Sequence, residues 1–254
     1  MAPIQAYHRP QTMTEALQLL ARPGLRTALV AGGTSLVPRL DEQEIDEVVD
    51  LQGLCPAGIQ DGGDRLTIGA LTPLQALAEH PAVPPLLKEG ALREGPNTFR
   101  HQSTVGGVIA GADWESELLA ALLVHDAVVT LETPAGTHTL NLADYLSEIA
   151  GQLQNAIIVE VTVAIGGQVG QARVGRTPLD TSIVAALARR DERGELRLAL
   201  TGIAATPRLI APDEIEALDP PGDFRGSAAY RREMAAILSR RAVAQLDEAS
   251  VTNH

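Results

Sequence analysis

Two stretches of this sequence put glycine pairs and small hydroxyl residues at the end of an apolar run, a pattern able to bind a ligand through the backbone. Leu29 to Leu36 reads LVAGGTSL, and Thr104 to Glu117 reads TVGGVIAGADWESE. Glycine has no Cβ and tolerates positive φ, so such a pair lets the chain pass very close to a partner. Neither stretch contains a lysine or arginine. An anion such as a diphosphate would therefore be held by converging N–H groups and hydroxyls rather than by side-chain charge. The competing reading is that each pair is only a turn. Neither spacing fits the three-glycine dinucleotide fingerprint or the lysine-bearing phosphate loop, and those two nucleotide folds are disfavoured.

Side-chain catalysts are scarce by comparison. Asp113, Glu115 and Glu117 could form a carboxylate cluster, but an acidic first helical turn is ordinarily a solvated cap stabilised by the helix dipole. The six histidines (His8, His80, His101, His125, His138 and His254) show no metal-ligand spacing. Cys55 is the only cysteine, which excludes an intrachain disulfide and a cluster held by this chain's thiolates. No nucleophile elbow is present. Arg231, Arg232, Arg240 and Arg241 read as a solvated face of the last helix. Glycine loops without catalysts suit a cofactor that carries the chemistry itself, flavin being the first candidate.

The elements that must position these loops follow from periodicity and punctuation. Thr12 or Thr14 caps a helix through Leu20, and Thr27 to Ala31 is a strand leading into the first glycine pair. Val48 to Leu51 and Leu66 to Leu71 are strands separated by a joint at Gly53 to Gly63. Pro73 opens one short helix, and another ends near Gly95. Glu117 to Val124 is helical. Ala127 to Leu131 pairs with Thr137 to Leu140 across Pro134-Ala135-Gly136. Ala156 to Ile165 is a strand, with Gly166-Gly167 as its hairpin turn. Thr181 to Ala188 and Glu195 to Ala204 flank a turn at Asp191 to Gly194, and a helix runs from Ser227 to about Gln245.

With 254 residues, the chain is long enough for two or three units around a sizeable core. Aromatics are only 2% and apolar residues 45%, so that core is aliphatic. A net charge of −12 argues against nucleic acid or an anionic membrane as partner. No stretch is apolar for the ~18 residues of a membrane span and the N-terminus has no signal-peptide design, which leads to a cytoplasmic expectation.

Several ordered motifs together resemble the FAD-binding medium subunit of molybdenum hydroxylases, the group of the carbon monoxide dehydrogenase flavoprotein and the xanthine dehydrogenase FAD domain. They are LVAGGTSLVPRL at 29–40, LTIGALTPL at 66–74, TVGGVIAGADWESEL at 104–118, LADYL at 142–146, RTPLDTSIVAAL at 176–187 and DFRGSAAYRREMAAILSRRAV at 223–243. The resemblance implies an α+β fold: two α/β FAD-binding subdomains at 1–55 and 56–168, then a C-terminal domain at 169–254 with a small antiparallel sheet and helices. It implies FAD, with its diphosphate on Leu29, Val30, Ala31, Gly32, Gly33, Thr34, Ser35 and Leu36 and on Thr104, Val105, Gly106 and Gly107. Glu117 falls where the family usually has an aspartate that helps hold the cofactor. Electrons would originate at a molybdopterin-bearing large subunit, arrive through a small subunit with two [2Fe–2S] clusters, and leave to an acceptor such as NAD⁺, quinone or oxygen. The chain departs from the family pattern at Val108 (usually Asn), Trp114 (usually Pro) and Ala172 (often Lys). Those departures motivate the alternative of a structural subunit that has lost FAD; a stand-alone flavin oxidase is the third reading.

Overall fold

The computed structural model describes residues 4–40, 44–148, 155–177 and 180–252. Pro178 and Leu179, within the Arg176 to Leu187 motif, lie outside the described residues.

The chain opens with β1 (Ala6–His8), α1 (Met13–Leu20), β2 (Thr27–Val30) and β3 (Glu47–Asp50). These strands form a parallel three-stranded sheet in the order β1-β3-β2. Of the two threonines expected to cap α1, Thr12 does so, accepting the Glu15 amide at 3.2 Å. A joint follows, shorter than expected because Ile59–Asp61 already forms β4.

Next come β5 (Arg65–Gly69), α2 (Leu74–Glu79), α3 (Pro85–Arg93), α4 (Asn97–Arg100), α5 (Val105–Gly111), α6 (Glu117–Val124), β6 (Val128–Thr133), β7 (Gly136–Asn141), α7 (Leu142–Glu148) and β8 (Ile157–Ala164). Pro73 caps α2 rather than standing inside it. The strands make an antiparallel five-stranded sheet, β4-β5-β8-β6-β7. The β6–β7 hairpin turns where expected, with Thr133 opposite Gly136.

The remainder is β9 (Gln168–Val174), β10 (Val184–Arg190), β11 (Leu196–Leu200), β12 (Arg208–Leu209) and the long α8 (Ala228–Thr252), with the strands in the order β12-β11-β10-β9. One expectation is corrected here. Gly166-Gly167 is not a hairpin turn, since β8 pairs with β5 and β6 while β9 pairs with β10. The pair instead carries the chain from one sheet to the next. Both residues have positive φ, 79° and 82°, and a Cβ on Gly167 would stand 2.5 Å from the Arg190 carbonyl oxygen.

Two aliphatic cores meet on β10. Its residues 184–188 are all at most 1% exposed. Ala185 and Leu187 join the large core built on α6, while Val184, Ala186 and Ala188 pack with Ala235, Leu238, Ala242 and Leu246 of α8. Every residue of α6, ELLAALLV, is buried, as a helix apolar on all sides must be. Small residues set the spacing: Gly170 of β9 lies where a Cβ would be 2.1 Å from the Ala242 carbonyl of α8.

Candidate functional site

The three parallel strands end on the same edge of their sheet, the place where open α/β sheets bind ligands. β2 leaves that edge through residues 31–36, so Leu29 and Val30 are strand residues while Ala31, Gly32, Gly33, Thr34, Ser35 and Leu36 form a loop. Each glycine has its own reason to be there. A Cβ on Gly32 would fall 1.8 Å from the Gln102 carbonyl oxygen, so the loop lies directly against the chain that enters the second glycine stretch. Gly33 has φ +72°, which bends the loop into a short 3₁₀ turn at Val37–Arg39. The amides of Gly32, Gly33, Thr34, Ser35 and Leu36 have no hydrogen-bond partner among the described residues. Free backbone donors in a glycine-bearing bend are the kind of group that binds phosphate oxygens.

Arg39 adds a charge that reading the two glycine stretches alone missed. Its Nε donates to the Ser35 carbonyl at 3.0 Å and its guanidinium also donates to the Ser35 hydroxyl. The signal lay four residues past Ser35, in the LVPRL continuation, where one helical turn returns a side chain to the loop.

The second stretch is not a loop. Thr104 is the N-cap of α5, so Val105, Gly106 and Gly107 are its first turn. Its amides are engaged within the protein: Val105 donates to Thr72 O at 3.0 Å, Gly106 to Ala70 O at 2.8 Å, Gly107 to Thr104 Oγ1 at 3.1 Å and Val108 to Thr104 O at 3.0 Å. A Cβ on Gly106 would meet Ala70 Cβ at 2.8 Å, so this glycine lets α5 settle on the end of β5. At Gly107 a Cβ would stand 3.0 Å from the Thr104 hydroxyl. The structure thus sets Gly32 against residues 102–103, and the two stretches differ: the amides of the first are free among the described residues, while those of 105–108 are engaged within the protein.

The acidic run after α5 also differs from the solvated cap expected. Glu117 is 4% exposed and accepts Arg173 Nε at 2.9 Å, away from solvent. Ser116 caps α6 by accepting the Leu119 amide at 3.0 Å, and its hydroxyl donates to Glu94 Oε1 at 2.6 Å. Glu94 also accepts the Leu118 amide at 3.3 Å; burial pushes its carboxyl up to about 7 despite these donors. Glu115 is held by Arg225, and burial raises it as well. A cavity of about 70 Å³ lies among Arg93, Glu94, Asp113, Glu115, Ser116, Glu117 and Thr181. Among the described residues no group of carboxylates, histidines or cysteines is arranged to hold a metal ion.

The solvated-face reading of α8 holds for the exposed Arg240 and Arg241 but is corrected at Arg231. Arg231 is 0% exposed, its guanidinium lies 4.5 Å over the Trp114 ring, and it donates to Ile183 O at 2.5 Å, Gly202 O at 3.1 Å and Asp223 Oδ2 at 2.8 Å. The Trp114 carbonyl in turn accepts the Gly202 amide at 2.8 Å. The segment linking α5 to α6 is therefore fastened to the C-terminal sheet and helix.

Comparison with known proteins gives the family of the chain. The family described as FAD binding domain in molybdopterin dehydrogenase matches residues 2–164. The chain belongs to this family. Among its relatives, the YgfM protein of Escherichia coli K12 is 29% identical over 252 residues, covering 92% of this chain and 93% of that one. The carbon monoxide dehydrogenase medium chain of Hydrogenophaga pseudoflava is 28% identical, covering 93% and 95%. A solved carbon monoxide dehydrogenase from the same organism, lacking the Mo-pyranopterin moiety of its cofactor, superposes with a TM-score of 0.85 at 26% identity over 98% of this chain and 99% of that one. As a member, the chain is an FAD-binding oxidoreductase component, with the mixed α and β architecture described above. The donor set fits the cofactor: five unengaged amides, two hydroxyls and the Arg39 guanidinium are complementary to a diphosphate. No helix among the described residues is long and apolar enough to cross a membrane.

Proposed function

We propose that this chain holds FAD at the carboxyl edge of the parallel sheet and serves as the electron-transfer subunit of a heteromeric molybdopterin-dependent hydroxylase or dehydrogenase. The observation that carries the site is the row of free amides at Gly32–Leu36, pressed against the chain at residues 102–103. FAD, when bound, supplies the redox chemistry, accepting electrons from iron–sulfur clusters and giving them up to an acceptor. The residues of this chain bind and orient. Gly32 to Leu36 would donate to the diphosphate, with Arg39 beside them, a local set of donors working against the unfavourable overall field of a chain of net charge −12. Leu29 and Val30 fix the loop to the sheet, Thr104 to Gly107 would wall the bound cofactor, and Glu117, paired with Arg173, would help hold it.

The partners in this reading are a molybdopterin-binding large subunit and a [2Fe–2S] small subunit, in the cytoplasm, with NAD⁺, quinone or oxygen as the acceptor. The relatives named as medium chains of dehydrogenases support it. Titration of the purified protein by flavin fluorescence tests the site. FAD is expected to bind at least about tenfold more tightly than FMN, because five donors span more than one phosphate; each hydrogen bond to a charged group contributes roughly 1.5–3 kcal/mol. Equal affinities would remove the diphosphate assignment.

A further inference from the structure

Phe224, one of only two phenylalanines in the chain, is 90% exposed. Scattered exposed apolar residues need no explanation, but this one is held outward by its surroundings. The turn Asp223–Gly226 is closed by the Asp223 amide on Gly226 O at 3.0 Å. Asp223 Oδ1 accepts the amides of Arg225 and Gly226, both at 2.9 Å, and Oδ2 accepts Arg231 Nη2 at 2.8 Å. On the other side of Phe224, the Arg225 guanidinium is fixed to Glu115 and to the Thr181 carbonyl. Both neighbours of the ring are thus anchored to the fastened segment described above. Pro220 and Pro221 stiffen the approach. A ring presented this way loses only two side-chain torsions on burial, which is what makes rigid aromatics effective interface anchors.

The chain leading to the turn has one sign of charge. Between residues 212 and 223 no basic residue occurs; Asp213, Glu214 and Glu216 are exposed, while Asp219 is paired with Arg232 and Asp223 with Arg231. An acidic ridge therefore ends in an aromatic knob. We propose that Phe224 and this ridge are a docking surface for another polypeptide presenting an apolar socket rimmed by lysine or arginine. This rests on the reading above that the chain works within a complex, and it makes the owner of the socket a partner subunit. A second copy of this chain fits poorly, since two such ridges, on chains of net charge −12, would face like charge.

The test uses the complex assembled from this chain and its molybdopterin-binding and iron–sulfur subunits, with association followed by analytical ultracentrifugation at low and high salt. Phe224→Ala is expected to weaken association by about thirtyfold, in the range of an interface hot spot, while the melting temperature of the isolated chain stays the same. The double variant Asp213→Asn, Glu216→Gln is expected to slow association and flatten its salt dependence. Wild-type affinity in Phe224→Ala, with the complex intact, overturns the docking surface and leaves the complex standing. Failure of the wild-type chain to assemble with those subunits overturns both. Dimerisation of the isolated chain that Phe224→Ala abolishes would assign the face to a second copy and overturn the proposed partner.

Discussion

The carboxyl end of Glu94 is enclosed where α3 meets the start of α6, and burial raises it from the ordinary carboxylate range to about 7. In the folded chain it binds a proton more tightly than in the unfolded chain, so its stabilising contribution is full below pH 4.5 and is lost as pH rises through about 7. Glu94→Gln keeps an acceptor for Ser116 and the Leu118 amide without the buried charge. It is expected to stabilise the protein at pH 8 by on the order of 1–3 kcal/mol and to change little at pH 4.5; urea midpoints at the two pH values measure this, and an equal gain at both would contradict the assignment. His125 acts with the opposite sign. Burial lowers it to about 4, and its Nδ1 faces the Ala164 carbonyl at 2.8 Å, with Arg189 and Asp126 the charged groups nearby. It is favoured neutral in the fold, so stability is lost as pH falls from 6.5 through about 4. Between pH 4.5 and 6.5 the two groups offset each other, and removing Glu94 should expose the histidine slope as a steeper acid limb.

Among the elements, α5 and the 166–167 crossover ask different things of their glycines. Gly167→Val puts a β-branched residue at φ +82° with its Cβ 2.5 Å from a backbone oxygen, and is expected to lower the melting temperature sharply while sparing FAD affinity. Gly107→Ala sets a helix-propensity gain of about 1 kcal/mol against crowding of the capping Thr104 hydroxyl, 3.0 Å from the new Cβ, and is expected to change the melt little. Its FAD affinity then reports whether the wall at 104–107 touches the cofactor: a drop places ligand against it, and no change leaves the diphosphate to residues 32–36 alone. Calorimetry and flavin titration of both variants supply the readings. The two glycine stretches were legible because strand ends and Gly-Gly pairs are local signals. That α5 is a helix was not, because VGGVIAG is a poor helix former and its first amides are satisfied by Ala70 and Thr72, partners outside the segment. The burial of Arg231 was hidden for the same reason: its sequence neighbours are polar, while the Trp114 ring and the Ile183 and Gly202 carbonyls that enclose it come from distant positions. The short strands β1, β4 and β12 escaped notice because two or three residues carry no period.

At the scale of the whole molecule, the three sheets are not independent bodies, since β10 belongs to both hydrophobic cores and Arg189 reaches back from it to the Val124 and Gly166 carbonyls. Leu187→Ala, a truncation at 1% exposure on the face toward α6, is expected to cost roughly 2–5 kcal/mol. It should shift the whole transition rather than split it, with calorimetric and van't Hoff enthalpies agreeing; a separate early transition would show that the C-terminal sheet melts on its own. The crossover at Gly166-Gly167 also has a consequence for how the protein is made. During synthesis, α6 emerges before Ala185, Leu187 and Ala199, the residues of β10 and β11 that join its core in the folded chain. Until the last sheet is synthesised, the nascent chain displays an aliphatic surface, so chaperone dependence should peak in that interval and vanish once α8 closes over the strand.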